Sequence, residues 1–358
     1  MERINVCILF GGVSPEHEVS LRSAESVLNN IDHEKYKVFP VGITKDGVWL
    51  LYGSHDFSKL PDGSWLTCPE NRRAAISPVR GEGLLIFDGG HVQVQPLDVV
   101  FPVLHGENGE DGSIQGLMQL AGLPCVGPDV AASASCMDKS LTKLIADGAR
   151  VRQAAWLPVT REELAAQENT VLDAAEARFS YPVFVKPAGT GSSVGVSRAE
   201  NRDALLRALR EALRFDDKAL VEECIFGREV EVAVLGNRDP VASVCGEIEA
   251  GAAFYDYEAK YLSDCAKLYI PARISDEAAE QVRAAAVRVY QAMGCRGLSR
   301  VDFFVTYQDE EVVFNEINTL PGFTSISMYP KLFVASGLPY DRLIDELLRY
   351  AMEAQNEA

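Results

Sequence analysis

Short unbroken apolar runs alternate along this chain with stretches whose apolar positions recur every three or four residues, the pattern of buried strands alternating with amphipathic helices. Residues 4–10 (INVCILF) predict a fully buried parallel strand. Gly11 and Gly12 turn the chain, and a helix is predicted from about Pro15 to Asn30, with Ser14 as its N-cap and Pro15 in its first position. Strands at 38–43 and 99–104 extend an α/β pattern to about residue 120. A helix around 137–148, a strand at 183–187, a Gly/Ser loop and a helix near 202–214 predict a smaller α/β unit. The last third predicts strands at 219–223, 230–235 and 241–247, a helix at 277–293, two strands flanking 308–310 and a final helix from about Tyr340. There is no internal repeat and no low-complexity segment.

Length and composition narrow the classes. A chain of 358 residues has room for two or three packed domains, and 47% hydrophobic with 24% charged residues is a globular balance. The net charge of -18 argues against a nucleic-acid surface, so any phosphate must be held locally by a few lysines, backbone N–H groups and metal ions. Eight cysteines are scattered without a C-x-x-C pair and read as reduced, mostly buried thiols. The apolar run in the opening MERINVCILFGG is too short for a signal peptide or a membrane span, so the expectation is a cytoplasmic protein with no membrane partner.

The sharpest chemistry lies in SRVDFFVTYQDEEVVFNEINTLPG, residues 299–322, which reads as a hairpin. Pairing symmetric about Asp309 sets Asp302 opposite Glu316 and Arg300 opposite Asn318, with all four on one face. Two facing carboxylates invite a cation, and with an amide oxygen they form a hard-oxygen set that leaves room for waters and phosphates, as magnesium requires. The alternative is a solvated polar face in which Arg300 pairs with Asp302.

VFVKPAGTGSSVGVS, residues 183–197, joins two strand-like pieces by a Gly/Ser loop. Lys186 precedes the loop, and the N–H groups of Gly191, Ser192 and Ser193 are suited to cradle phosphates, although such a loop read alone is more often a plain turn. Lys139 opens a helix, where a cation wants an anion nearby, or is simply solvated. Near the bend at Gly227, backbone around Glu223 and Ile225 suits an adenine edge and Glu229 suits ribose hydroxyls; an acidic strand end is the alternative. Glu16 lies just past the first strand, where an ammonium group would suit it, or where it merely complements a helix dipole. His105 follows a buried strand in FPVLHGENGEDG, as a cleft histidine or a structural one.

Taken together, LFGGVSPEHEVS, FPVLHGENGEDGSIQG, ASCMDK, FVKPAGTGSSVGVS, FYDYEAKY, RVDFF and NEINTLPGFTSISMYPK resemble, in order and spacing, the blocks of the D-alanine:D-alanine ligase family of the ATP-grasp superfamily, over nearly the whole chain. The resemblance implies an N-terminal open α/β substrate domain (1–130) followed by central (131–216) and C-terminal (217–358) ATP-grasp domains. It implies that Lys139, Lys186, Gly191 and Ser193 contact nucleotide phosphates, and that Glu222, Glu223, Ile225 and Glu229 contact the nucleoside. It further implies that Asp302, Glu316 and Asn318 hold two magnesium ions, with manganese able to substitute.

By the same resemblance, Glu16 takes the first substrate's ammonium, in a hydrogen-bonded triad with Ser192 and Tyr261. Arg300, Gly322 and Ser327 serve the second substrate's carboxylate and the oxyanion, and His105, Tyr255 and Lys260 line the substrate site. The implied reaction is ATP-dependent joining of two D-alanines through an acyl phosphate for peptidoglycan synthesis, by a homodimer. D-alanyl-D-serine synthesis is the alternative within the family. A non-catalytic nucleotide sensor would lack the metal ligands, and a dinucleotide oxidoreductase would carry a G-x-G-x-x-G after a strand, which this chain does not have.

Overall fold

The computed structural model of the protein describes residues 3–191, 194–249 and 267–356. Three sheets organise it. The first runs β1 (Ile4–Gly11), β2 (Tyr36–Ile43), β3 (Trp49–Leu51), β4 (Arg72–Ile76), β5 (Leu84–Asp88), β6 (His91–Gln95) and β7 (Val99–Val103), in spatial order 6-5-4-3-2-1-7. The predicted parallel centre is present, β1 lying between β2 and β7, but β3 to β6 add an antiparallel wing that the apolar runs did not announce. These strands are short, and β6 is almost wholly exposed, so no continuous apolar run marks them.

The second sheet contains β8 (Trp156–Thr160), β9 (Val183–Pro187), β10 (Ser197–Ala199) and β11 (Lys218–Glu223), in order 10-9-11-8. An expected boundary at residue 217 would assign β11 to the C-terminal unit. It pairs instead with β8 and β9, because Ala219, Leu220 and Val221 complete the apolar face of the second sheet. The third sheet contains β12 (Gly227–Leu235), β13 (Val241–Glu249), β14 (Lys267–Tyr269), β15 (Leu298–Thr306) and β16 (Val312–Asn318), in order 14-13-12-15-16.

Two-residue periodicity divides the faces of this third sheet. Val230, Val232, Val234, Val301, Phe303 and Val305 pack with Val282, Ala286 and Val289 of the helix Asp276–Ala292. The opposite face therefore carries Glu229, Glu231, Arg300 and Asp302. Phe314 and Ile317 both belong to the helix-side cluster although they are three positions apart, an odd offset that a regular strand forbids. A bulge resolves this: Asp302 pairs with Glu316 but Phe303 with Phe314, leaving Asn315 as the extra residue. The symmetric register predicted for the hairpin thus holds for Arg300–Asn318 and Asp302–Glu316 and slips by one residue nearer the turn.

One core ties the N-terminal sheet to the end of the chain. Val6, Ile8 and Phe10 of β1, with Leu21 and Leu28 of the helix His17–Asn30, share a cluster with Phe323, Tyr329, Leu343 and Leu347. Phe101 and Phe323 meet edge to face with ring centroids 5.6 Å apart. This packing brings the carboxyl ends of β1 and β7 over the end of β16.

Gly11 closes β1 with φ +85, and a Cβ built there would lie 2.2 Å from the Ile43 carbonyl oxygen. Strain and overlap act together at this position, so Gly11→Ala is expected to cost about 3 kcal/mol or more, read as a lowered midpoint in chemical denaturation.

Candidate active site

The site forms where loops from the carboxyl ends of β1 and β7, which are adjacent in register at Phe10 and Val103, meet the second and third sheets. The first helix begins at His17, later than predicted, with Glu16 at the N-cap position. Pro15 bends the approach while Ser14 Oγ accepts the Glu16 N–H at 3.0 Å and donates to the His105 carbonyl at 2.8 Å. Ser14 is thereby a loop clasp rather than the cap. The Glu16 carboxylate lies against backbone from two other segments: a Cβ on Gly106 would come within 2.6 Å of its Oε2, and one on Gly191 within 3.4 Å.

His105 is buried, and burial holds its imidazole below the ordinary value despite the opposing pull of Glu16. In the neutral tautomer its Nδ1–H donates to the Leu320 carbonyl at 2.9 Å. Ser23 Oγ then donates to Nε2 at 3.2 Å and accepts the Phe323 N–H at 3.2 Å. His105 is accordingly a tie between the first sheet and the segment holding Gly322. Gly322 and Ser327 face each other, since a Cβ on Gly322 would sit 2.8 Å from Ser327 Oγ, which also accepts the Thr324 N–H at 3.0 Å.

Glu110, which sequence reasoning passed over as one acid among several in a loop, is a second tie. Its carboxylate accepts from Gly106 N–H at 2.8 Å and Leu320 N–H at 3.2 Å, and burial, reinforced by Glu16, pushes it up to about 8.

A cleft lined by Lys139, Thr190, Gly191, Glu110, Glu316 and Asn318 separates the Gly/Ser loop from the acid-bearing hairpin. The predicted helix at 137–148 breaks at Asp138, whose side chain caps the helix Lys139–Gly148 by accepting from Ser140 and Leu141 N–H. Lys139 does open a helix, and its ammonium donates to the Thr190 carbonyl at 2.5 Å.

Lys186 reaches from β9 to Glu222 Oε2 at 2.9 Å and to Asn315 Oδ1, the side chain that the bulge displaces, at 3.1 Å. Burial opposes its charge, but Glu222, Glu316 and Glu229 more than compensate and raise its pKa. Burial also works against the Glu222 carboxylate, yet Lys186 and Lys143 together hold it at about 2. Lys143, buried at 3.2 Å from Glu222 Oε1, had no signal in the sequence because its partner is 79 positions away. Glu223 turns its side chain to Arg152, 3.3 Å away, and Arg152 also binds Glu311 at 3.0 Å. Its backbone N–H is bonded to the Ala155 carbonyl. Ile225 lies between β11 and β12, at the passage from the second sheet to the third.

On the third sheet Glu231, Asp302 and Glu316 stand in one row across β12, β15 and β16. Arg300 grips Asp302 with two bonds of 2.7 Å and lies 3.1 Å from Glu231, while Asn318 Nδ2 donates to Asp302 at 3.1 Å. The ion pair weighed as an alternative from sequence is therefore present, on a buried face rather than a solvated one. Burial disfavours the Arg300 charge, but Asp302 and Glu231 outweigh it and drive its pKa far up. Among the described residues no closed cage of His, Cys, Asp or Glu exists. Asp302, Glu316 and Asn318 form instead an open oxygen-rich set, which fits a divalent cation that keeps waters and phosphate ligands. Ser192, Ser193, Tyr255, Lys260 and Tyr261 lie outside the described residues.

The family model for the D-Ala-D-Ala ligase N-terminus matches residues 5–128, and that for the C-terminus matches 145–349. A D-alanine–D-alanine ligase of Clostridium acetobutylicum is 48% identical over 98% of this chain and 98% of its own length. One from Caldicellulosiruptor bescii is 46% identical over 100% and 97%. Among solved structures, the VanG D-Ala:D-Ser ligase from Enterococcus faecalis has a TM-score of 0.89 at 38% identity, covering 98% of this chain and 100% of that one. The D-alanine-D-alanine ligase from Coxiella burnetii has 0.86 at 33%, covering 100% and 96%. The fold is the expected mixed α/β ATP-grasp architecture. With both family models matching over most of its length and near-half identity end to end, the chain belongs to the D-alanine–D-alanine ligase family.

Proposed function

We propose that this protein uses ATP to join two D-alanine molecules into D-alanyl-D-alanine, releasing ADP and phosphate, for peptidoglycan precursor synthesis in the cytoplasm. The observation that carries the reading is convergence at one cleft: Lys139 and the glycine loop on one side, Glu316 and Asn318 on the other, with Lys186 bonded to the lining Asn315 and Glu16 against Gly191.

A carboxylate is unreactive toward amines because oxide is its leaving group, so one carboxylate oxygen of the first D-alanine attacks the γ-phosphorus and ADP departs. Lys139, Lys186 and the N–H groups of the loop holding Gly191 and Ser193 take the phosphate charge. Asp302, Glu316 and Asn318 would hold the two magnesium ions, or manganese in their place, which neutralise phosphate charge when bound. Backbone around Glu223 and Ile225 reads the adenine edge, Glu229 takes the ribose hydroxyls, and Glu222 serves the nucleotide by holding Lys186. Glu16 pairs with the first substrate's ammonium, helped by Ser192 and Tyr261. The neutral amine of the second D-alanine attacks the acyl carbon and phosphate leaves. Arg300 and the Gly322 N–H stabilise the oxyanion, with Ser327 at the carboxylate.

His105 and Glu110 act by tying the Gly322 segment to the first sheet. Tyr255 and Lys260 belong to the segment assigned to cover the site, since an acyl phosphate must be kept from water. The unit division 1–130, then 131 to the end of β11, then the remainder, and a homodimeric assembly, complete the proposal; family resemblance supports the last.

Phosphate release from ATP is expected to depend on D-alanine and to yield D-alanyl-D-alanine by mass. Release that ignores D-alanine would refute the reading. The likeness to a D-Ala:D-Ser ligase makes D-serine the informative competitor: a mixed dipeptide in excess over D-alanyl-D-alanine at equal concentrations would reassign the second substrate.

A further inference from the structure

We propose that Lys143 is a positioning residue for nucleotide binding, the resident counter-charge of Glu222 that frees Lys186 to engage a phosphate. The inference rests on the reading that Lys186 meets the nucleotide. Glu222 divides its carboxylate between two lysines, Oε1 to Lys143 at 3.2 Å and Oε2 to Lys186 at 2.9 Å. The lysines are not equivalent. Lys143 has a side chain only 2% exposed, and its turn of helix is pinned by Gln153, whose Nε2 donates to the Lys143 carbonyl at 2.8 Å and to Asp147 at 2.5 Å. Lys139 and Thr142 of the same helix line the cleft.

Lys186 is more accessible and holds a second partner, Asn315, on the bulged strand that borders the cleft. It is the lysine with somewhere to go. A phosphate that draws Lys186 away removes one of the two charges balancing Glu222, which is buried and ionised. With Lys186 alone, that transfer would strand a buried carboxylate, among the costliest single changes in a protein interior. Lys143 Nζ lies 3.2 Å from Glu222 Oε1, the oxygen that Lys186 does not use, so this pair can persist when Lys186 leaves.

The test is a double-mutant cycle read by calorimetric titration with Mg·ADP. Lys143→Met is expected to weaken binding about tenfold or more in the unaltered background, and by less than about twofold when Glu222 is already glutamine. An equal loss in both backgrounds, or none in either, would overturn the inference. Should Lys143→Met not fold by itself, the pair E222Q and K143M/E222Q still decides, since a tenfold difference between them contradicts a role exerted through Glu222. Failure of the unaltered chain to bind Mg·ADP would overturn both this inference and the site reading. Binding weakened by Lys186→Met but not by Lys143→Met would overturn the inference alone.

Discussion

Lys186→Met is expected to lower the rate of D-alanine-dependent phosphate release about a thousandfold, the scale of losing one preorganised donor to a developing phosphoryl charge. The ammonium is held beside the cleft before any ligand arrives. Glu222 and Asn315 fix it at 2.9 and 3.1 Å, and both anchors come from strands buried at their bases. Against the opposing effect of burial, its pKa is raised by Glu222, Glu316 and Glu229, so it stays charged at neutral pH. Folding should survive, because Lys143 continues to balance Glu222 and methionine fills the vacated volume. The measurement is steady-state phosphate release together with a thermal melt. A rate within tenfold of the unaltered chain would remove Lys186 from the chemistry, and a collapsed melt would mark it as structural.

Arg300→Met is expected to destabilise the metal-free protein by about 3–5 kcal/mol, the cost of leaving buried charges without their partner. Arg300 is the cation on the row Glu231, Asp302 and Glu316, bonded twice to Asp302 and paired with Glu231. If the row binds magnesium, the ion replaces part of the missing charge. Chemical denaturation with and without magnesium should then show a larger metal-induced shift in the variant than in the unaltered chain. Equal shifts would count against metal binding at these residues. Turnover should fall about a hundredfold or more as well, since the arginine is also assigned to the oxyanion.

These two predictions differ in how far the sequence could reach them. The hairpin at 299–318 was legible because strand periodicity and a turn centred near Asp309 determine which side chains share a face, a rule that needs no tertiary information. It placed Arg300, Asp302, Glu316 and Asn318 together, as observed. Lys186 was legible as a lysine before a glycine loop, but not its anchoring. Asn315 enters the site because a one-residue bulge redirects it, and bulges arise when a strand must present both Phe314 and Ile317 to the same helix.

What the linear order of residues determined was local: strands, helices, the turn and the facing acids, all set by periods of two and 3.6 and by glycine and proline. What only the tertiary structure decided was company at long range. Lys143 with Glu222, Glu110 with Leu320, Glu231 with Arg300 and Glu16 beside Gly191 each join segments far apart in the chain. Their pairing follows from the packing of apolar faces elsewhere, above all the cluster joining Phe10 and Leu28 to Phe323 and Leu347. Apolar burial is non-directional, so no spacing in the sequence announces which polar groups it will bring within reach of one another.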